Sequence, residues 1–220
     1  MIWLHFSEKV NFTPRLSGLA LFQKRYFLDR HNTYQDLFWA SGGYQLKNIQ
    51  FGGGMMFITT HKLLTSVYKS IPEHRPFQYL SYTSAIPETR WRFQIRAMVE
   101  ERFLSKVMEN EIATAEAFQL RYRLRSNLMF DFARNAQFKL SNEWLCTHEL
   151  DLTQNRAFAE VAYAFKTLQV STGYMNWYIK GINKPWRHIW LLRVDHKIRW
   201  QELAQNLRVF DQIHPQSMID

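Results

Sequence analysis

The 220-residue chain has a single cysteine, Cys146, so it can form neither an intrachain disulfide nor a Cys-rich metal site. No apolar run approaches the roughly 18 to 20 residues that a membrane helix requires. The opening residues, Met1-Ile2-Trp3-Leu4-His5-Phe6, carry no secretory signal pattern. The eight histidines form no HExxH motif. Gly52-Gly53-Gly54 is not followed by Gly-Lys-Ser/Thr, so it is no phosphate loop. Prolines number six and glycines eight, and no linker rich in Pro, Gly or Ser divides the chain. These absences leave no motif for a catalytic, metal or cofactor site, and none is expected.

What the chain has in abundance is aromatic and basic side chains. Phe, Trp and Tyr make up 16% of it, and the formal net charge is +9. Basic proteins bind nucleic acid, anionic lipid or anionic ligands. Here the arginines sit on alternate positions and are not gathered in a tail or one helix, which argues against nucleic acid as a partner. The pattern is clearest in two blocks. The first reads Arg90-Trp91-Arg92-Phe93-Gln94-Ile95-Arg96-Ala97, and the second Phe118-Gln119-Leu120-Arg121-Tyr122-Arg123-Leu124-Arg125. A strand sends successive side chains to opposite faces, so each block predicts one apolar and one strongly basic face.

The same alternation recurs along the chain. Strands are expected over Ile2 to Phe12, Leu16 to Asp29, Tyr34 to Gln45, Ile49 to Thr60, Phe77 to Ile86, Arg90 to Phe103, Phe118 to Phe130, Phe138 to Glu149, Arg156 to Phe165, Leu168 to Tyr178 and His188 to His196. Residues 61–75, 104–115 and 151–155 read as connections, the second with a helical turn. Trp200, Leu203, Ala204, Leu207 and Phe210 recur at helical spacing, which predicts a short amphipathic helix over Gln201 to Val209. The strands run about 10 to 14 residues, longer than the usual 5 to 6 and matched to a tilted bilayer crossing. Turns alternate short and long, as in outer-membrane barrels. The expected fold is therefore all-β: a single antiparallel up-and-down transmembrane β-barrel over residues 1–198, with a partly helical extension over 199–220. The rhythm counts eleven strands. Bacterial barrels usually have even numbers, so about 12 (10 to 12) is expected.

With the strands in place, further features fall in order: Tyr44 before Lys47-Asn48, Trp91-Arg92-Phe93 to Glu100-Glu101-Arg102-Phe103, Leu120-Arg121-Tyr122-Arg123-Leu124, Asn142-Glu143-Trp144, Gln154-Asn155-Arg156, Tyr163, and Gly173-Tyr174-Met175-Asn176. On these, the chain resembles the DUF2490 family of predicted bacterial outer-membrane β-barrels from about Trp3 to Tyr178. The resemblance implies a fold and a location, the bacterial outer membrane, and no chemistry. The extension after about Ile198 departs from the usual aromatic barrel ending.

In such a barrel the apolar residues face lipid and the polar ones the lumen. That places Arg92, Arg96, Arg102, Arg121, Arg123 and Arg125 inside, with Glu100, Glu143 and Glu160 as candidate partners. Two roles follow from one interior. Arg–Glu networks would brace the wall and plug the lumen. A residual positive field would instead pass anions. The leading expectation is a non-enzymatic structural or accessory subunit of an envelope complex, in contact with outer-membrane lipid and other envelope proteins. Its alternatives are a small anion-selective pore and a soluble lipocalin-like binding barrel with the arginines outside. A lipid-acting enzyme would need a nucleophile oriented by a His, and no spacing supports the pair Ser171 and His188. Cys146 shares the parity of Trp144 and reads as a small outward residue. Trp39, Trp91, Trp144, Trp177, Trp186 and Trp190 are candidates for interfacial anchors.

Overall fold

The computed structural model describes residues 1–27, 32–64, 67–107, 112–148, 151–183 and 185–200. Among the described residues, eleven strands close one barrel. They are β1 (Ile2–Asn11), β2 (Leu16–Phe27), β3 (Asn32–Leu46), β4 (Ile49–Leu64), β5 (Val67–Ala85), β6 (Trp91–Val107), β7 (Ile112–Ala133), β8 (Ala136–Thr147), β9 (Leu152–Phe165), β10 (Leu168–Ile179) and β11 (Trp186–Arg199). The helix expected over 201–209 lies outside the described residues.

Neighbours in sequence pair antiparallel around the wall, and β1 closes on β11 in parallel, from Ile2↔Trp190 to Asn11↔Arg199. The closure explains the strand number. A meander of eleven strands leaves its first and last pointing the same way, so they meet as a parallel pair. The even number expected from bacterial barrels presumes antiparallel closure and does not hold here.

The described connections at one end are short. They include Lys47-Asn48, Arg134-Asn135 and Lys166-Thr167, with Lys47 (φ 50°), Glu88 (φ 58°) and Lys166 (φ 51°) in the left-handed region that tight hairpins demand. At the opposite end, here the loop end, β4 to β7 extend further than their alternation announced. Residues 60–64 pair with 67–71 as strand, from Thr60↔Ile71 to Leu64↔Val67, the strand continues through 75, and 104–107 and 112–115 are strand too, with Val107↔Ile112. Residues 151–155 also belong mostly to a strand, since β9 starts at Leu152. These segments read as loops because they lack regular apolar alternation. Hydrophobic alternation reports a half-buried strand, and a strand whose two faces are both polar gives no such signal.

The triple glycine makes no bulge. Gly52, Gly53 and Gly54 pair in register with Gly43, Gly42 and Ser41. They permit close packing: a Cβ on Gly54 would sit 2.0 Å from the Ala40 carbonyl oxygen and 2.7 Å from Ser41 Cα.

Large apolar side chains point outward around the wall. Phe22, Leu80, Phe118 and Trp190 are 47% to 58% exposed. The alternate residues point inward and are charged, neutral polar (Gln23, Gln35, Asn127) or apolar. Two apolar clusters lie inside. Trp3, Phe158, Met175, Trp177, Ile189 and Leu191 form one, and Leu37, Trp39, Met56, Ile58, Phe77 and Met98 the other. Trp39 and Trp177 are therefore interior packing residues, whereas Trp144 (38% exposed), Trp186 (57%) and Trp190 (58%) face outward.

Candidate functional site

Between the two apolar clusters runs a network of buried ions, built one alternate position at a time. On β6, Glu100 and Arg102 are two residues apart and so share the inner face; on β7, Arg121, Arg123 and Arg125 do the same. The register sets Glu100 opposite Arg121, and Glu143 of β8 opposite both Arg125 of β7 and Arg156 of β9. Glu100 accepts hydrogen bonds from Arg121 Nε (2.8 Å) and Nη2 and from Arg123 Nη1 (2.5 Å), with Arg75 Nη1 at 3.9 Å. Arg123 reaches onward, donating to Glu143 (2.7 Å), which also accepts from Arg156 (3.1 Å). Glu73 pairs with Arg75 and Arg102 at 2.5 and 2.6 Å. Glu160 lies 2.9 Å from Lys139, 3.5 Å from Arg193 and 3.7 Å from Arg125.

Four carboxylates thus hold eight cations, and each carboxylate side chain is 7% exposed or less. Sharing each acid between cations compensates its buried charge, but leaves more positive than negative charge. Arg25, Arg96 and Arg187 add to the excess. None has a carboxylate within ion-pair distance among the described residues. Arg25 donates to Gln23 and Gln35, and Arg96 lies over the Trp39 ring at 5.8 Å.

These groups surround a cavity of about 880 Å³ that runs from the loop end, at Ile182 and Arg187, toward Lys9 and Lys197. Twelve Lys or Arg side chains line it, against three carboxylates, Glu73, Glu143 and Asp195. Even with Glu100 and Glu160 counted, the lining is strongly positive.

Of the nine residues singled out from sequence, Glu100, Arg121, Arg123 and Glu143 form one connected chain. Arg102 meets Glu73, and Arg125 meets Glu160. Arg92 sits instead at the short-turn rim, 43% exposed and 2.9 Å from Asp131, and Arg96 bonds to no acid among the described residues. Sequence reasoning missed Arg25, Glu73, Arg75, Lys139, Arg156 and Arg193. Arg156-Ala-Phe-Ala-Glu160 carries the signal, two charges four residues apart in a strand, hence on one face. Glu73 and Arg75 were hidden in a stretch read as a connection.

Ser171 and His188 are not brought together. Ser171 is buried inside on β10, while His188 is exposed on β11 and hydrogen-bonds Tyr174. On the outer face near the loop end, Asp36, His61 and Ser70 form a cross-strand chain, with His61 Nε2 3.1 Å from Asp36 Oδ2 and Nδ1 3.0 Å from Ser70 Oγ. Asp36 also lies 3.9 Å from Lys24 Nζ. Cys146 is half-buried on the outward parity. Outside the strands, the Asp151 carboxylate at 2.7 Å raises the Lys180 pKa above the usual lysine range.

No curated protein matches the chain. The solved structures that the chain is similar to include two of one outer-membrane protein. One is OmpT, an outer-membrane protein of Vibrio cholerae, with loop L8 deleted: TM-score 0.44 and 11% identity, covering 76% of this chain and 55% of that one. The other is OmpT of Vibrio cholerae expressed in the outer membrane: TM-score 0.44 and 8% identity, covering 76% and 51%. The chain spans about half the length of either. The family model described as Protein of unknown function (DUF2490) matches residues 1–188, and the chain belongs to that family.

Proposed function

We propose that the chain is a bacterial outer-membrane β-barrel without catalytic activity, a structural or accessory subunit of an envelope complex whose interior is braced by shared Arg–Glu pairs. The observation that carries this reading is its sidedness. Outward residues such as Phe22, Leu80 and Phe118 are large, apolar and exposed, while Glu100, Arg121 and Glu143 are buried inside. A protein in water gains nothing by exposing such a belt; one in hydrocarbon must. Closure of the wall also pairs the strand edges, as hydrocarbon demands. A lipocalin-type barrel would carry the opposite arrangement, with arginines outside and an oily centre.

Bracing is favoured over conduction because the Glu100–Arg123–Glu143–Arg156 chain ties β6, β7, β8 and β9 together inside the wall. A second reading, a small anion-selective pore, is supported by the cationic lining of the cavity. Heat-modifiable gel mobility and trypsin resistance after refolding in detergent test the barrel. Migration unaffected by heating, with a monomer soluble in water, would refute it. Planar-bilayer recording separates the two roles: a braced interior gives no sustained current, and a pore gives an anion-selective one. Copurification of other envelope proteins in gentle detergent supports the subunit role, and repeated recovery of the chain alone counts against it.

A further inference from the structure

The loop-end half of the cavity has a composition that bracing does not explain. Arg25, 8% exposed, has only the neutral amides of Gln23 and Gln35 as hydrogen-bond partners among the described residues. Arg187 Nη1 and Arg156 Nε are buried with no hydrogen-bond partner among the described residues. These three guanidinium groups converge on one pair of rings. Trp3 and Trp177 meet edge to face with centroids 5.8 Å apart. Arg25 Cζ lies 3.8 Å from the Trp3 ring, Arg156 Cζ 4.8 Å and Arg187 Cζ 5.3 Å from Trp177. Ring faces attract cations but do not neutralise them. Among the described residues, Glu143, through Arg156, is the one carboxylate paired with any of the three. Like charges crowded in a narrow low-dielectric interior repel strongly, and a negative group is the missing member.

We infer that this half of the cavity binds a small organic anion. Its anionic head lies among Arg25, Arg156 and Arg187, and its flat apolar body packs in the space beside them. A guanidinium binds a carboxylate, sulfonate or phosphate through paired hydrogen bonds, which a point charge cannot do. The body is specified by the rest of the lining: Leu21, Leu37, Met56, Ile179 and Leu191 face the same space. The whole cavity, about 880 Å³, falls within the roughly 300 to 1,000 Å³ of small-molecule sites, and the loop-end half is part of it. The inference rests on the membrane-barrel reading and goes further by naming a ligand class and the residues that select it.

Calorimetric titration tests it, using the chain in nanodiscs of zwitterionic phosphatidylcholine with empty discs subtracted. The probes are 1-naphthalenesulfonate, inorganic phosphate and the neutral 1-naphthalenemethanol. The sulfonate should bind at one saturable site per chain, phosphate more weakly, and the alcohol not at all. Arg25→Gln with Arg187→Gln should weaken the sulfonate by about tenfold or more. Arg187→Gln alone, at a half-buried position, should weaken it several-fold in a protein that keeps the heat-shifted band. Lys180→Gln, at an exposed pair, should leave it unchanged. Absence of saturable binding, equal binding of the alcohol, or undiminished binding in the arginine variants overturns the inference. Phosphate binding tighter than sulfonate overturns the apolar-body part of it. Any of these outcomes with an intact heat-shifted band refutes this site alone. Loss of the heat shift in the unaltered chain refutes the barrel reading instead.

Discussion

Neutralising Glu100 removes the charge that holds three guanidinium groups together. Its side chain is fully buried, and it is the one acid paired with Arg121 among the described residues. Arg123 keeps Glu143, and Arg75 keeps Glu73. Glu100→Gln therefore strands chiefly the Arg121 charge. Removing one partner of a buried ion pair costs about 3 to 5 kcal/mol, because the other is left buried and uncompensated. The rim pair Arg92–Asp131 is the comparison, since its side chains are 43% and 40% exposed. There Asp131→Asn should cost about 0 to 1 kcal/mol. The decisive variant is the double one, Glu100→Gln with Arg121→Gln, which removes the stranded charge. It should be more stable than Glu100→Gln alone by at least about 1 kcal/mol. The assay is equilibrium denaturant unfolding in phosphatidylcholine vesicles, followed by tryptophan fluorescence, with stability read from the midpoint at constant slope. A Glu100→Gln loss under about 0.5 kcal/mol would refute the argument. So would a double variant whose loss equals the sum of the single ones.

Three further expectations follow from the same geometry. Phe22→Arg puts a charge on the outer face and should destabilise the chain in bilayers by about 2 to 4 kcal/mol; the same titration checks this, and no loss would mean that Phe22 does not face hydrocarbon. Gly54→Ala drives a Cβ into the Ala40 carbonyl, whereas Gly42→Ala meets nothing within 4 Å. The first should cost about 1 to 3 kcal/mol or prevent refolding, the second should be tolerated, and equal effects would contradict the packing of β3 on β4. The Asp36–His61–Ser70 chain has the order of a hydrolase relay but lies on the lipid-facing side of the wall; a serine-directed fluorophosphonate should leave the refolded protein unlabelled. Labelling abolished by Ser70→Ala would show that the barrel is a hydrolase.

The two arginine blocks were legible because period-two alternation states which residues share a face, and in the structure Arg121, Arg123 and Arg125 do share the inner one. The contents of that face were less legible. Trp3, Trp39, Trp177 and Met175 point inward with the arginines, so apolar residues do not mark the outer face everywhere. Where inward residues are themselves apolar, a strand loses its alternation and the sequence cannot say which side is which. The same limit hid Glu73 and Arg75. Their strand carries Ser70, Pro72 and His74 on the outer face, so neither side offered a hydrophobic rhythm. The parallel seam between β1 and β11 has no local signature at all, because register between chain ends is settled by closure of the whole wall and not by neighbouring residues.

Sidedness is the premise on which bracing, the anion site and the membrane location all depend, and lipid quenching measures it directly. Two variants, each keeping one of the eight tryptophans and replacing the others with phenylalanine, would retain Trp190 (58% exposed, outward) or Trp177 (5% exposed, interior). Refolded into bilayers with brominated acyl chains, and checked for the heat-shifted band, Trp190 should be strongly quenched and Trp177 should keep its emission. Quenching of Trp177 with Trp190 untouched would turn the barrel inside out and contradict the account.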